Sequence, residues 1–226
     1  MLRTDLIASI PELLSRQASA RGAKIAYEDV NGAVTYGDLQ KRTGNLAGHL
    51  ADLGIASGQT IAMLLPNSVA WVECAFAITR AGAISVPISY DSTESEIAYR
   101  LSDAACQAII TTDEKASLIE TLKAQAPELR IVILADRGER RGGDLRLGDL
   151  LSRTPASAPR DPNMLDEPAF IIYTSGTTGR AKGVILNVRG MLWVTAACWA
   201  PVCGLSHSDT VLSPLPLFHS YALNLS

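Results

Sequence analysis

Aromatic residues make up only 5% of the 226-residue chain, and its formal net charge is −3. With few rings to stack on bases and no excess of positive charge, the footprint of a nucleic-acid binder is missing. The four cysteines, Cys74, Cys106, Cys198 and Cys203, form no Cys-x-x-Cys pair. The three histidines, His49, His207 and His219, are scattered, so metal-ligand spacing is absent as well. Three of the cysteines sit in apolar runs and read as small core residues in a reducing compartment. Long apolar runs are also lacking. Residues 191–205 are broken by Pro201 and fall short of the ~20 residues that a spanning helix needs. The first 22 residues interleave apolar positions with Arg3, Asp5, Glu12 and Arg16, unlike the apolar region of a signal peptide. These absences predict a soluble, cytoplasmic protein without a transmembrane segment.

Hydrophobic residues at 47% against 19% charged indicate a globular chain, long enough to bury a sizeable core. Apolar spacing predicts a helix over residues 6–20, then short strands at 24–28 and 33–36. Thr35 with Asp38 resembles a capping box opening a helix that ends at Gly54. Residues 60–65 form a continuous apolar run bounded by turn residues, as expected of a strand buried on both faces. The alternation continues with a helix at 68–80, a strand at 83–88, a helix opened by Thr93 and Glu96, a strand at 107–112, a helix at 114–126 and a strand at 130–135. Repeated strand–helix–strand units with apolar strands imply a mostly parallel sheet covered by helices. Residues 136–163 change character towards Arg, Gly, Asp, Ser and Pro, with an apolar insert at 145–151, and read as a surface excursion outside the core. Their arginines (Arg137, Arg140, Arg141 and Arg146) are interspersed with acids and read as a solvated loop.

A buried-strand signal at 168–173 runs directly into Thr174-Ser175-Gly176-Thr177-Thr178-Gly179-Arg180-Ala181-Lys182-Gly183. Extended structure resumes at 183–186, so the segment reads as strand–loop–strand and not as the strand–loop–helix of a dinucleotide fold. Nor does it fit the G-x-x-x-x-G-K-S/T pattern, because Ala181 precedes Lys182 and Gly183 follows it. Its composition still suits phosphate. Gly176 and Gly179 let backbone amides approach an anion, and Thr174, Ser175, Thr177 and Thr178 supply hydroxyls. Lys182 adds a mobile positive charge. At about 1.5–3 kcal/mol for each hydrogen bond to a charged group, a few such donors could hold a triphosphate. A ligand-free Thr/Gly-rich hairpin turn is the competing reading of the same composition.

Tyr173-Thr174-Ser175-Gly176-Thr177-Thr178-Gly179-x-x-Lys182-Gly183 resembles the signature loop of the adenylate-forming (AMP-binding) superfamily. That superfamily includes acyl- and aryl-CoA synthetases, peptide-synthetase adenylation domains and luciferases. Further segments fit in the family's order: Val34-Thr35-Tyr36-Gly37-Asp38-Leu39 is similar to its "TYxEL" motif, the stretch from Arg80 to Ile88 to "xxGAxxVPI", and Leu215-Pro216-Leu217-Phe218-His219 to "PLFH". Ala181 departs from the family's usual proline, which would pre-set the backbone.

The resemblance implies an α/β fold: a mixed, mostly parallel sheet with flanking helices in αβαβα layers, part of the family's large N-terminal domain. Residues 58–204 would form one lobe, and residues 1–57 and 205–226 the start of a second. The family's adenine and ribose motifs, its Mg²⁺-coordinating glutamate and its C-terminal domain follow the "PLFH" motif. The expectation is therefore an incomplete chain, inactive alone, whose exposed apolar surface invites a homodimer.

By the same resemblance the complete enzyme activates a carboxylic acid, a fatty acid first, with ATP and Mg²⁺ to an acyl-adenylate, then forms a thioester with coenzyme A. Thr174, Ser175, Gly176, Thr177, Thr178, Gly179 and Lys182 would bind the nucleotide phosphates, Lys182 and His219 would be catalytic, and His219, Ser220 and Tyr221 would border the acid. A cationic imidazole before the apolar helix starting near Tyr221 is disfavoured by the helix dipole, so His219 is expected neutral. Amino-acid-activating relatives resemble "FDxS" here, where an aspartate pairs the substrate ammonium. Phe218-His219-Ser220 offers no such acid, and an unpaired buried ammonium is costly, so an amino-acid substrate is disfavoured. Alternatives are an aryl-acid ligase, a non-catalytic nucleotide- or acyl-binding fragment, and a structural α/β domain whose loop holds no phosphate. His49 and His207 read as structural or solvated, and Trp71, Trp193 and Trp199 as helix-interface residues.

Overall fold

The computed structural model describes residues 2–135, 145–174 and 180–225. A 3₁₀ turn (Thr4–Leu6) precedes α1 (Ile10–Arg21), the strands β1 (Ile25–Asp29) and β2 (Gly32–Thr35), and α2 (Tyr36–Asp52). There follow β3 (Thr60–Leu64), α3 (Val69–Arg80), β4 (Ile84–Pro87), α4 (Glu94–Asp103), β5 (Ala108–Thr111), α5 (Asp113–Leu122), β6 (Ile131–Leu134), β7 (Leu145–Arg146) and α6 (Leu147–Ser152). The chain continues through β8 (Pro168–Thr174), β9 (Lys182–Asn187), α7 (Val188–Val194), a π-helical turn (Thr195–Trp199) and α8 (Ser220–Leu225).

The expected helix over 6–20 begins instead at Ile10, because Pro11 fits only the first helical turn, where its missing N–H leaves no bond unmade. Two other starts show how one methylene decides a cap. At α4 the Thr93 hydroxyl accepts from Glu96 N while the Glu96 carboxylate reaches back to Thr93 N at 2.8 Å, a complete box. At α2 the Thr35 hydroxyl accepts from Asp38 N at 3.1 Å, but the shorter Asp38 carboxylate bonds the Thr35 hydroxyl instead of its backbone.

β1 and β2 form a separate antiparallel hairpin. The other strands make a seven-stranded sheet in the order β7-β6-β5-β3-β4-β8-β9, parallel throughout except for the antiparallel β8–β9 pair. β3 is buried at every residue, as its unbroken apolar run requires. Alternate side chains feed two cores. Ile61 and Met63 join residues of α2, α3 and α6 on one face, and Ala62 and Leu64 join Ile97 and Leu101 of α4 and Ile119 of α5 on the other. The mixed, mostly parallel sheet with flanking helices is thus the observed fold.

The expectation that residues 136–163 stay outside the core is corrected. Residues 136–144, with Arg137, Arg140 and Arg141, lie outside the described residues. Beyond them β7 extends the sheet beside β6, and Leu147 and Leu151 are buried in the larger core. Arg146, read as solvated, is buried and paired with the Asp113 carboxylate at 2.6 and 2.7 Å. The following strap runs along α2 where Gly48 leaves room, since a Cβ there would lie 2.3 Å from the Ser157 carbonyl oxygen. Asp52 accepts hydrogen bonds from Ala156 N and Ser157 N at 2.9 Å, and Arg160 donates to the carbonyls of Ala81 and Ile55. A two-residue strand and a six-residue helix are too short to show a period, and the bonds of Arg146 and of Arg160 in the strap reach residues 33 and 105 positions away.

Cys74 and Cys106 are buried, Cys198 is half-buried and Cys203 exposed. Burial raises the Cys74 thiol well above its ordinary value and pushes Cys106 up to about 12, which makes both inert. Trp71 packs in the core as expected, whereas Trp193 is about half exposed. No helix among the described residues is long and apolar enough to cross a membrane.

Candidate active site

β8 and β9 pair antiparallel from Pro168↔Asn187 to Thr174↔Lys182, confirming the strand–loop–strand reading of the Thr/Gly-rich segment. Thr174 and Lys182 face each other across the neck of the loop, both exposed. Ser175, Gly176, Thr177, Thr178 and Gly179 lie outside the described residues. Lys182 makes no ion pair with a described carboxylate, so its ammonium is not committed to one of those groups. Gly183 has a packing reason: a Cβ there would stand 2.8 Å from Ile171 Cγ2 and 3.4 Å from Tyr173 Cζ, so only glycine lets these side chains cross β9.

The flanks of the loop rest on α4, which the sequence did not mark as part of the site. On the entry side the Tyr173 hydroxyl donates to Asp103 Oδ2 at 2.6 Å, and the Arg100 guanidinium lies 5.8 Å from its ring centroid. On the exit side Tyr99 donates to the Ala181 carbonyl at 3.0 Å, with Arg180 5.7 Å above its ring. The two rings meet edge-on, 6.0 Å between centroids at 76°. The available signal was the i, i+4 spacing of Tyr99 and Asp103, which puts both on one helix face.

Burial first, and then the Asp103 hydrogen bond, raises the Tyr173 hydroxyl well above its ordinary value near 10, and burial does the same to Tyr27. Both phenols therefore stay protonated while folded and ionise near 10 once unfolded. The unfolded chain then binds fewer protons, so stability is retained below pH 10 and falls as pH rises beyond it. A titration followed at 295 nm should show two of the six tyrosines silent past pH 10 until the chain unfolds. Six phenols titrating together in the folded chain would contradict this.

The "PLFH" segment is held at the same end of the sheet. Asn67, three residues past the end of β3, donates from Nδ2 to the Leu215 carbonyl at 2.7 Å and accepts from Leu217 N at Oδ1 at 2.9 Å. β3, β4 and β8 are adjacent and parallel, so this clamp and the loop both lie at the carboxyl ends of strands, where open α/β sheets bind ligands. His219 is exposed, just before α8, and its Nδ1 lies 3.3 Å from Tyr221 N as acceptor. Beneath α8 is an apolar cavity of about 80 Å³, whose wall includes Tyr27, Trp71, Phe76, Phe170, Leu217 and Leu223. His219, Ser220 and Tyr221 separate the last two residues but are not among the lining side chains, and Tyr221 is 55% exposed. His49 and His207 stand apart, His49 Nε2 lying 3.2 Å from the Arg153 carbonyl.

The chain is 33% identical over 190 residues to the long-chain-fatty-acid–CoA ligase FadD13 of Mycobacterium tuberculosis, covering 84% of this chain and 36% of that protein. It is 36% identical over 229 residues to the chalcone synthase cfoA of Aspergillus candidus, covering 97% of this chain and 8% of that protein. Among solved structures, the inhibitor-bound N-terminal domain of FACL13 from Mycobacterium tuberculosis superposes with a TM-score of 0.84 at 29% identity, covering 96% of this chain and 54% of that one. The chain thus spans about a third of the ligase's length and under a tenth of the synthase's. With the loop, its strand–loop–strand setting and the clamped "PLFH" segment in place, the match of the AMP-binding enzyme profile to residues 14–226 completes the assignment, and the chain belongs to the AMP-binding enzyme family.

Proposed function

We propose that this chain supplies the ATP-phosphate loop and the acid-side segment of an enzyme that joins a carboxylic acid to coenzyme A through an acyl-adenylate. The observation that carries the reading is the β8–β9 hairpin, closed at Thr174 and Lys182 at the carboxyl edge of the sheet. In the first half-reaction a carboxylate oxygen attacks the α-phosphorus of ATP, the bond to the bridging oxygen breaks, and pyrophosphate leaves. In the second, the thiolate of coenzyme A attacks the acyl carbon and AMP departs. Thr174, Ser175, Gly176, Thr177, Thr178, Gly179 and Lys182 orient the departing phosphates and offset their developing charge. His219 stands beside the reacting carboxylate, with Ser220 and Tyr221 next to it. Among the described residues no group of three His, Cys, Asp or Glu side chains could hold a metal ion.

The preferred substrate is a fatty acid, which the largely apolar wall of the cavity beneath α8 suits. Four of its lining side chains are aromatic, which favours an aryl acid as the second reading. The unpaired cysteines suit a reducing cytoplasm. The test is thermal unfolding of the chain with and without MgATP, followed by an acid panel on the full-length enzyme read by pyrophosphate release and CoA consumption. MgATP protection, with release driven by alkyl acids, is expected. Absence of protection would sink the phosphate-site reading, and release driven by benzoates alone would select the aryl alternative.

A further inference from the structure

The loop's two flanks belong to different strands, yet one side chain from outside the hairpin touches both. Tyr99 presents its ring edge to Tyr173 on β8 and gives its hydroxyl proton to the Ala181 carbonyl just before β9. Arg180 covers the same ring, and Tyr173 is itself tied to Asp103 one turn further along α4. α4 is well placed as a reference. Its start is closed by a complete capping box, Ile97 and Leu101 are buried in the core, and Arg100 bonds Ser92 Oγ at 2.9 Å.

The peptide between Ala181 and Lys182 is planar and trans, so its C=O and N–H point in opposite directions. Holding the Ala181 oxygen against Tyr99 therefore turns the Lys182 N–H away from α4 and sets the direction in which the Lys182 backbone leaves the loop. Position 181 is also where this chain departs from the family's usual proline. Alanine leaves φ free there, and a hydrogen bond on its carbonyl restricts the same stretch of backbone from outside.

We propose that Tyr99 is a positioning residue for the phosphate loop: its hydroxyl fixes the Ala181–Lys182 peptide and so aims Lys182 at the nucleotide phosphates, in place of the missing proline. This rests on the phosphate-site reading of the hairpin. Tyr99 would act through the Ala181–Lys182 peptide, so its loss should work through pre-organisation and leave the fold intact.

The test compares the wild-type chain with Tyr99→Phe and the double variant Tyr99→Phe/Ala181→Pro, using MgATP as the probe in calorimetry together with amide hydrogen exchange. A net hydrogen-bond contribution corresponds to about a three- to ten-fold weakening of MgATP binding in Tyr99→Phe. Amide exchange at 180–183 should quicken while exchange in β3 and β5 stays unchanged, and the double variant should regain most of the affinity. A purely structural role would not be rescued by proline at 181. If the wild type binds MgATP and Tyr99→Phe binds it equally well, or if proline restores nothing, the positioning role is overturned. If the wild type itself binds no MgATP, the phosphate-site reading fails, and this role falls with it.

Discussion

Replacing Lys182 by alanine should weaken MgATP binding about ten- to a hundred-fold while leaving the thermal midpoint of the nucleotide-free chain in place. The magnitude follows from losing hydrogen bonds between an ammonium and phosphate, worth about 1.5–3 kcal/mol, where each 1.4 kcal/mol is about a factor of ten. The fold should not notice, because Lys182 is exposed and pairs with no described carboxylate. Its backbone keeps the ladder pairing with Thr174 whatever the side chain. In the full-length enzyme the same change removes a donor from developing phosphate charge, and adenylate formation should slow by about 10²–10³. Lys182→Arg keeps the charge but replaces a compact ammonium by a planar fork, so partial recovery of binding with poorer recovery of rate is expected. Calorimetry on the chain and pyrophosphate release by the enzyme separate the two effects. Unchanged affinity in Lys182→Ala would falsify the assignment of this lysine to the phosphates.

Asp161→Ala should cost about 2–4 kcal/mol of stability, read as a lower urea midpoint, with no direct effect on the loop. Asp161 Oδ1 and Oδ2 accept from Arg80 Nε and Nη2 at 2.7 and 2.8 Å, and the Arg80 side chain is only 7% exposed. Arg80 Nη1 also donates to the Gln40 carbonyl and to Thr43 Oγ1, which ties α2, α3 and the strap together. Gly44 makes room for this guanidinium, since a Cβ there would lie 3.1 Å from Arg80 Nη1. Removing the carboxylate leaves a buried cation without its counter-charge, a change that typically costs about 3–5 kcal/mol. The lower figure here reflects the partial exposure of Asp161. Asp161 also sits at φ 43°, a region that asparagine adopts more readily than alanine. Asp161→Asn should therefore be milder than alanine, and equal losses in the two variants would show that the charge, not the backbone, carries the whole effect. A urea midpoint unchanged in Asp161→Ala would mean that the strap contributes nothing.

Much of this protein was legible in its local patterns. The unbroken apolar run at 60–64 could be satisfied only by a strand covered on both faces, and β3 is that strand. Thr35 and Thr93 announced helix starts because a hydroxyl can accept from an N–H three residues on, which is a local bond. The hairpin around the Thr/Gly-rich loop was readable for a similar reason: apolar strands on each side of a turn-rich segment leave few alternatives. The "PLFH" segment was recognisable by motif, but not the Asn67 clamp that holds it.

What stayed hidden depends on partners far along the chain. Arg146 looked like one solvated arginine among several until Asp113 appeared beside it, 33 residues away. Leu147 and Leu151 lie in an element too short to show a period, and only the face of the sheet they cover makes them core. Gly183 reads from the sequence only as the point where extended structure resumes, whereas the side chains of Ile171 and Tyr173 crossing β9 give it a packing reason. The role of Tyr99 needed the 82-residue separation from Ala181 to be closed by the fold. By itself the sequence determined the order of elements as far as β6, the buried strands among them and the chemistry available in the loop, because propensity, periodicity and capping act over a few residues. Tertiary structure alone decided which charges are paired, which glycines are spaces for a neighbour, and which helix supports the loop, because those depend on distances that no local pattern encodes.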